Sequence, residues 1–411
     1  MPRMHRFGRL LPALALGLGG VTAASAQESS PVADSAGPPA GCEVVADGLV
    51  NPRFIVVADD GTLYVTGAGT GGDETVTPPE PDEAPQLAAT PGAEATPGAE
   101  EAGGEGDGPP TTRGFSGQIT AISADGDQTV VADGLPSYSE GVGPVGIVLG
   151  DGLLWISTGG AAVALGVDPL ENENSVLQVD LDTGEVTQIA ELGSYEADNN
   201  PDGTDVNPNL YAMDVGADGQ LYVNDAGGNT VYRVDPSTGE FALLGIVPSP
   251  APPVGDAPPA DATPVADEEG GGPLQPVPTG LDVGADGNVY VVTLGAFAPG
   301  AATVFTALAD GSFVAAATGL TVGIGVALGP DGALYASQLA TFAGEEPGPG
   351  NVVRIGADGT AETVVDGVPF AHGIAFDADG NLYVVANSTA FGPPPAEPNG
   401  QVLRCDGVAA A

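Results

Sequence analysis

The sequence predicts an all-β fold, a six-bladed β-propeller whose blades are four-stranded antiparallel sheets. The first observation behind this prediction is a hairpin that occurs six times, in which Asp-Gly precedes an apolar-aromatic-apolar strand. Asp-Gly beside alternating apolar residues favours a tight β-turn, and repetition at about 45 residues is typical of propeller blades. The copies begin at Asp60, Asp151, Asp218, Asp286, Asp331 and Asp379.

The second observation concerns the hairpins between the third and fourth strands of each blade, of which only five can be found. The sixth is recovered by joining the two chain ends. Residues 400–405 match the third strand at 117–122, and residues 43–49 match the fourth strand at 129–135. Pairing the first strand with the last removes a free sheet edge. We therefore expect a ring closed by residues 43–47 pairing with residues 401–405.

Individual strands can be assigned within a blade. In the fourth blade, turn signals separate four short apolar segments of the length expected for sheet strands. We expect these strands at residues 280–284, 288–293, 302–308 and 313–318.

The segment ahead of the ring has the pattern of an export signal. Three arginines (Arg3, Arg6 and Arg9) precede an apolar run at 10–21 and a small-residue cleavage site at 24–26. An uncleaved anchor is the alternative, although the run is short for a span of about 20 residues. We expect a secreted protein with a signal peptide at 1–26, a flexible segment at 27–41, one propeller domain at 42–405 and a tail at 406–411.

Three low-complexity inserts interrupt the propeller, at residues 73–112, 248–275 and 391–399. They have few aromatic or branched residues, so they cannot bury a core, and we expect them to lack regular structure. All three belong to connections between the second and third strands of a blade, or between consecutive blades. Those connections emerge on one face of a propeller, which we call the long-loop face, and we expect this face to carry the binding site.

Charge limits the partners. The chain has 55 acidic and eight basic residues, all of them arginines, and a formal net charge of −47. Such a surface repels phosphate groups and anionic lipids, so we expect neither nucleic-acid binding nor membrane binding after signal cleavage. Solubility is the simpler explanation of the acidity. We expect the protein to be a monomer.

Three arginines occupy equivalent places in the third strands of their blades, which indicates a structural repeat. Arg53 and Arg113 lie outside this repeat. The equivalent arginines are Arg233, Arg354 and Arg404.

Six equivalent positions begin the innermost strands, near the mouth of the central channel on the long-loop face. Their mixed chemistry makes them the first ligand-binding candidates. His372 is the only histidine after residue 26, so a site with several histidines cannot form, and a single hydrogen-bonded loop histidine is the alternative. The six mouth positions are Arg53, Val145, Tyr211, Thr279, Ile324 and His372.

Two acids, Asp214 and Asp282, lie deeper in the innermost strands, where other blades have Val or Ala. Such a pair near the axis would hold a cation or raise one another's pKa. Two solvated channel carboxylates are the alternative. We count both as ligand-binding candidates.

The loop at residues 194–209 contains Asp198, Asn200 and Asp202, followed by Gly203. Alternate oxygen ligands and a sharp glycine turn form the first half of a calcium loop. The twelfth position is Asn209 rather than Glu, and a loop rich in Asx turns is the alternative. Calcium is the cofactor that this loop suggests, and the sequence makes no cofactor certain.

Several of these segments carry a family resemblance. Asn-Pro-Arg at 51–53, Tyr-Glu-Ala at 195–197, Asn-Asn-Pro-Asp-Gly at 199–203, Asn-Asp-Ala-Gly-Gly-Asn at 224–229 and Val-Pro-Thr-Gly at 277–280 resemble ScyD/ScyE family proteins. That family consists of secreted proteins related to NHL-repeat propellers. It has no established reaction, so the resemblance implies no activity for this chain. The likeness runs from about Gly41 to Cys405. The chain departs from the family in its three inserts and in Val145, where the resemblance implies histidine.

Three functions remain open at this stage. The leading hypothesis is a secreted, mainly non-enzymatic propeller that binds a small molecule, glycan or protein through the long-loop face. The second is an extracytoplasmic hydrolase or lyase of the gluconolactonase or NHL type, with a divalent cation near the channel as Lewis acid. The third is a purely structural cell-surface module.

The two cysteines lie at opposite ends of the chain, in the two segments that we expect to pair. Aligned on the first blade, Cys42 and Cys405 face each other across a hairpin. Export would place them in an oxidising compartment, so we expect a disulfide, with two unrelated buried thiols as the alternative.

Overall fold

The computed structural model describes residues 37–76, 111–150, 152–249, 274–341, 347–388 and 398–410. These residues form six antiparallel sheets, one for each blade. Five sheets have four strands, in consecutive order except where the chain ends meet, and the sheet of the first blade has a short fifth strand beside its third main strand. Innermost strands of neighbouring blades contact one another around a complete ring. The protein is therefore a closed six-bladed β-propeller, as the sequence predicts.

The strands follow the predicted order from the channel outwards. Strand β1 (Cys42–Leu49) is the first strand along the described chain and belongs to the sixth blade. Blade 1 contains β2 (Pro52–Val57), β3 (Leu63–Gly67), the short β4 (Glu74–Thr75), β5 (Thr112–Ile122) and β6 (Gln128–Tyr138). Blade 2 contains β7 (Pro144–Gly150), β8 (Leu153–Thr158), β9 (Ser175–Asp180) and β10 (Val186–Glu191). Blade 3 contains β11 (Leu210–Val215), β12 (Leu221–Asp225), β13 (Thr230–Val234) and β14 (Phe241–Ile246).

The remaining three blades repeat this arrangement. Blade 4 contains β15 (Pro278–Val283), β16 (Val289–Thr293), β17 (Ala302–Ala307) and β18 (Phe313–Leu320), close to the predicted limits. Blade 5 contains β19 (Gly323–Leu328), β20 (Leu334–Thr341), β21 (Gly348–Ile355) and β22 (Ala361–Val368). Blade 6 contains β23 (Ile374–Phe376), β24 (Leu382–Ala386) and β25 (Gly400–Cys405), and β1 completes it.

The two chain ends close blade 6, as predicted. Strand β1 pairs antiparallel with β25, with Val44 opposite Leu403 and Cys42 opposite Cys405. The two cysteines form a disulfide whose Cα atoms are 4.1 Å apart, across a sequence separation of 363 residues. The bridge thus links the first strand to the last and fastens the ring.

The equivalent arginines belong to a structural repeat. Arg233 forms an ion pair of 2.9 Å with Asp218 in the first turn of its blade, and Arg354 forms one of 3.0 Å with Asp331. In both blades the tyrosine opposite the arginine on the second strand, Tyr222 or Tyr335, donates to the same carboxylate. Arg404 instead pairs with Glu43 and Asp406. Arg233 and Arg354 therefore share one repeated ion-pair arrangement, whereas Arg404, at the equivalent place, has other partners.

The edges of the predicted segments differ from the structure in two places. Strand β4 lies inside the predicted irregular insert 73–112, because Glu74 and Thr75 pair with Arg113 and Thr112 and extend blade 1. The C-terminal tail packs against the propeller: Ala409 is buried and its N–H donates to Gly380 O. The export signal at 1–26 and nearly all of the three inserts lie outside the described residues.

Two short helices lie in long loops, α1 (Ala162–Leu165) between β8 and β9 and α2 (Gly193–Asn199) between β10 and β11. Both connections belong to the long-loop face. Neither helix has the length and apolar character needed to cross a membrane, and the same holds for every helix within the described ranges.

Candidate functional site

The structure places the six mouth positions at the start of the innermost strands. Tyr211 is partly exposed and the other five are buried, with His372 at 1% exposure and Arg53 at 6%. Val145 and Ile324 belong to the main hydrophobic core. The polar members at this level are therefore Arg53, Tyr211, Thr279 and His372.

Tyr211 and His372 meet across the mouth of the channel. They come from blades 3 and 6, on opposite sides of the ring, and the Tyr211 hydroxyl lies 2.9 Å from His372 Nε2. His372 Nδ1 lies 2.9 Å from Arg53 O, which can only accept a hydrogen bond, so Nδ1 carries the proton. In the neutral imidazole Nε2 is then the acceptor, and Tyr211 donates to it. Phe54 packs edge-on against both rings.

Burial dominates the electrostatics of this group. Burial, and next the charge of Arg53, lower the pKa of His372 well below its usual value. Burial also raises the pKa of Tyr211. Both side chains are therefore neutral near pH 7, as the hydrogen bond between them requires. The Arg53 guanidinium donates to Ser388 Oγ at 2.9 Å and to Gly141 O.

A repeated hydrogen bond, which we call the interblade clasp, explains two of the polar mouth positions. In four blades a polar side chain near the end of the second strand accepts an N–H from the innermost strand of its own blade. The same side chain donates to a carbonyl on the innermost strand of the next blade. The four are Thr66 to Val145 O, Ser157 to Tyr211 O, Asn224 to Gly280 O and Ser337 to His372 O.

Blades 4 and 6 have valine at the clasp position, Val292 and Val385, and there a mouth residue makes the link instead. Thr279 Oγ1 donates to Gly323 O of blade 5 at 2.8 Å. His372 Nδ1–H donates to Arg53 O of blade 1. Thr279 and His372 are thus polar because their blades lack a polar residue at the clasp position on the second strand.

Asp214 and Asp282 also link neighbouring blades. Asp214 Oδ2 accepts the N–H of Val283 in blade 4 at 2.7 Å, and Asp282 Oδ2 accepts the N–H of Leu328 in blade 5. Burial, and next the charge of Asp282, raise the pKa of Asp214 well above its ordinary value. The two acids are adjacent, as the sequence suggests. Among the residues that the structure describes, no group of three histidine, cysteine or acidic residues is arranged to hold a metal.

Of the three proposed calcium-loop residues, two make hydrogen bonds within the loop or to a neighbouring turn, and the third is exposed. Asp198 is exposed on α2. Asn200 ends that helix in a left-handed conformation, and its side chain bonds Gly203 N–H and Thr204 O. Asp202 accepts from the backbone and hydroxyl of Thr204 and from Asn229 Nδ2. Whether this loop binds calcium stays a prediction.

Arg113 holds the base of the first insert on the long-loop face. It donates to Glu74 Oε1 and Asp168 O, both at 2.6 Å. Tyr138, which pairs with Arg113 across β5 and β6, donates to Glu173 Oε2 at 2.7 Å. This network joins blades 1 and 2.

A group of residues that the site predictions missed lies where α2 meets the turn between β12 and β13. Glu196, Asp225, Thr230 and Tyr232 are each 0% exposed. They carry five buried oxygen atoms without a hydrogen-bond partner: Glu196 Oε1, Glu196 Oε2, Asp225 Oδ2, Thr230 Oγ1 and Tyr232 Oη. We call these four residues the oxygen cluster. Its two acids fall in the Tyr-Glu-Ala and Asn-Asp-Ala-Gly-Gly-Asn segments that carry the family resemblance, which is the signal that could have found it.

Burial is the main cause of the raised pKa values of the two acids in the oxygen cluster. Burial, then the charges of Asp225 and Asp202, raise the pKa of Glu196 to about 8. Burial raises the pKa of Asp225 to about 6, although three backbone N–H groups, those of Asn209, Gly227 and Gly228, bond its Oδ1 and oppose the shift. The cluster is thus a buried concentration of acidic oxygens.

Comparison with known proteins identifies the fold and no family. No family model and no curated protein matches the chain. A putative oxidoreductase (glucose dehydrogenase) from Thermus thermophilus has a similar structure, with a TM-score of 0.50 and 16% identity over 88% of this chain and 98% of that chain. A luciferin-regenerating enzyme has a TM-score of 0.50 and 11% identity over 89% and 94%. A gluconolactonase from Xanthomonas campestris has a TM-score of 0.49 and 12% identity over 88% of each chain.

These identities are low enough that the likeness extends to the propeller fold alone, and propellers host many unrelated activities. Gluconolactonase-type and lyase-type propellers are among the structural neighbours. The resemblance to ScyD/ScyE proteins stays a prediction.

Proposed function

We propose that the protein is an exported binding or scaffold propeller that recognises a small molecule, glycan or protein on its long-loop face. The observation that carries this proposal is the state of the channel mouth. Each polar mouth residue is hydrogen-bonded within the propeller, either to another blade or to a neighbouring loop. These residues act as joints between blades, so recognition is left to the loops above them.

The long-loop face offers an exposed aromatic side chain. Strands β5 and β6 continue beyond the part that pairs with β3, and Arg113 and Gly114 pair there with Tyr138 and Ser137. Phe115 on this projection is 50% exposed and is the one aromatic among the exposed large apolar residues of the described chain. Aromatic rings bind both sugar faces and protein side chains, which makes Phe115 the first contact residue to test.

Export is part of the proposal. The Cys42–Cys405 disulfide fits an oxidising compartment, where such bridges persist. The amino-terminal signal pattern supports the same location.

A hydrolase or lyase acting at the channel is the second candidate. Asp214 and Asp282 favour it, because a carboxyl of raised pKa beside another carboxylate can serve as a general acid. Against it, both carboxylates already accept backbone N–H groups of the next blade.

Two assays on the purified mature protein separate these functions. Binding to a glycan array and to secreted proteins is measured for the wild type, Phe115→Ser and Val314→Ser, whose valine is 53% exposed on the outer strand of blade 4. We expect Phe115→Ser to lose at least tenfold in affinity and Val314→Ser to bind normally. Turnover of lactones and esters with added divalent cations, abolished by Asp214→Asn, would overturn the proposal in favour of the enzyme.

A further inference from the structure

The oxygen cluster is chemically unusual for a protein interior. Buried polar atoms are nearly always hydrogen-bonded, and burying a carboxylate without partners is costly. Here two acids and two hydroxyl groups are fully buried, and five of their oxygens have no partner. All five are oxygens, which are the atoms that hard cations prefer as ligands.

The same chain contains a buried glutamate that is satisfied without a cation. Glu173 is 3% exposed and accepts four hydrogen bonds, from the N–H groups of Ala161, Ala162 and Leu170 and from the hydroxyl of Tyr138. Glu196 is as deeply buried and accepts none. Glu196 therefore offers two unpartnered oxygens to a ligand, whereas the oxygens of Glu173 are already used.

The acids of the cluster converge on one point. A methyl group placed on Gly228 would lie 2.8 Å from Glu196 Oε2 and 3.1 Å from Asp225 Oδ2. Both oxygens therefore face the same small space beside the glycine backbone. Burial, and next the charge of Asp225, raise the pKa of Tyr232, and Glu196 contributes to the same shift, so its hydroxyl lies within electrostatic range of both acids.

No basic side chain in the described ranges neutralises the cluster. The five arginines of that part of the chain make their ion pairs and hydrogen bonds with groups elsewhere. The sequence contains no lysine. Any negative charge that the cluster carries would therefore have to be balanced by a cation from outside the chain.

We propose that the oxygen cluster binds one Ca²⁺ ion, with Glu196 and Asp225 as carboxylate ligands and Thr230 and Tyr232 as neutral oxygen ligands. Both oxygens of Glu196 are unpartnered, which suits bidentate coordination of a large cation. Mg²⁺ is a poorer fit because it keeps most of its water, for which a fully buried site has little room. Zn²⁺ is a poorer fit because it favours nitrogen and sulfur ligands.

The ion would fix one part of the long-loop face. Glu196 lies on α2, whereas Asp225 and Thr230 flank the turn between β12 and β13. Asn229 in that turn donates to Asp202 and to Gln275, at the base of the second insert, and accepts from Val277 N–H. Calcium would thus join α2, this turn and the base of the insert, and this role does not depend on the proposed function.

Thermal unfolding and calorimetry of the mature protein test the site. The protein is stripped with EGTA and returned to 1 mM CaCl₂ or 1 mM MgCl₂. We expect calcium at about 100 times its Kd to raise the Tm by about 4 °C, with one ion bound per chain, and magnesium to raise it by less than half as much. No rise with calcium would overturn the proposal.

Matched variants locate the ion. Glu196→Gln should lose the calcium-dependent rise. In EGTA it should be about as stable as the wild type, because the amide keeps the shape of a carboxyl group whose ionisation burial already opposes. Glu173→Gln should be less stable in EGTA yet keep the full rise. Asp198→Asn, at the exposed loop position, should also keep it. A rise that persists in Glu196→Gln, from diffuse binding to the acidic surface or from a loop site, would refute the assignment.

Tyr232→Phe keeps the proposal testable should Glu196→Gln fail to fold. It removes an oxygen that has no hydrogen-bond partner, so the calcium-free Tm should not fall. We expect a several-fold loss of calcium affinity by calorimetry. Unchanged affinity together with a lower calcium-free Tm would assign the hydroxyl a structural role and contradict its place in the site.

Discussion

Replacing Thr279 by valine tests the interblade clasp with almost no change of shape. Thr279 is 1% exposed, and its hydroxyl donates to Gly323 O at 2.8 Å. Valine keeps the volume and removes the donor, leaving a buried carbonyl without this bond. Such a loss costs about 1 to 2 kcal/mol. With an unfolding entropy of about 2.1 cal/mol/K for each of roughly 300 ordered residues, the Tm should fall by about 2 to 3 °C.

A second variant supplies the control. In blades 1, 2 and 5 the clasp is made by a serine or threonine near the end of the second strand, the position that Val292 occupies in blade 4. Val292 is fully buried, so Val292→Ser alone should lower the Tm. In the Thr279→Val background it should lower the Tm by less, because the serine can restore the clasp, as measured by differential scanning calorimetry. A Thr279→Val protein as stable as the wild type would refute the clasp. So would a double variant whose loss of Tm exceeds the sum of the losses in the two single variants.

Two further predictions concern stability. The raised pKa of Asp214 means that the folded state holds its proton more tightly than the unfolded state, so this residue costs stability as the pH rises above about 4. Asp214→Asn should gain in Tm over the wild type at pH 8 and gain less at pH 4; a difference independent of pH would contradict this. Reduction of Cys42–Cys405 should lower stability by up to about 5 kcal/mol, because the bridge closes almost the whole chain. A Cys42→Ser variant should be as stable as the reduced wild type, and adding a reductant should not change its stability.

The sequence was sufficient for the fold because each blade repeats a local signal. Asp-Gly turns fix the hairpins, and the match between the two chain ends fixes the closure and the register in which Cys42 faces Cys405. The short β4 was missed because its two residues have no strand pattern of their own and depend on pairing with β5.

The site was harder to predict because its residues meet only in three dimensions. Alignment found the mouth positions, but it could not reveal that Thr279 and His372 replace clasps absent from blades with Val292 and Val385. The spacing of Asp198, Asn200 and Asp202 suggested a calcium loop within one segment. The oxygen cluster instead joins Glu196 to Asp225 from different segments, and no spacing rule connects them.

The most direct test of this account is a crystal structure of the mature protein grown with CaCl₂, with anomalous differences measured to locate the ion. If the channel residues act as joints and metal binding belongs to the long-loop face, one strong peak will lie between Glu196 and Asp225, and none between Asp214 and Asp282. A peak at the channel carboxylates with none at Glu196 would contradict the calcium site and would favour the enzymatic alternative.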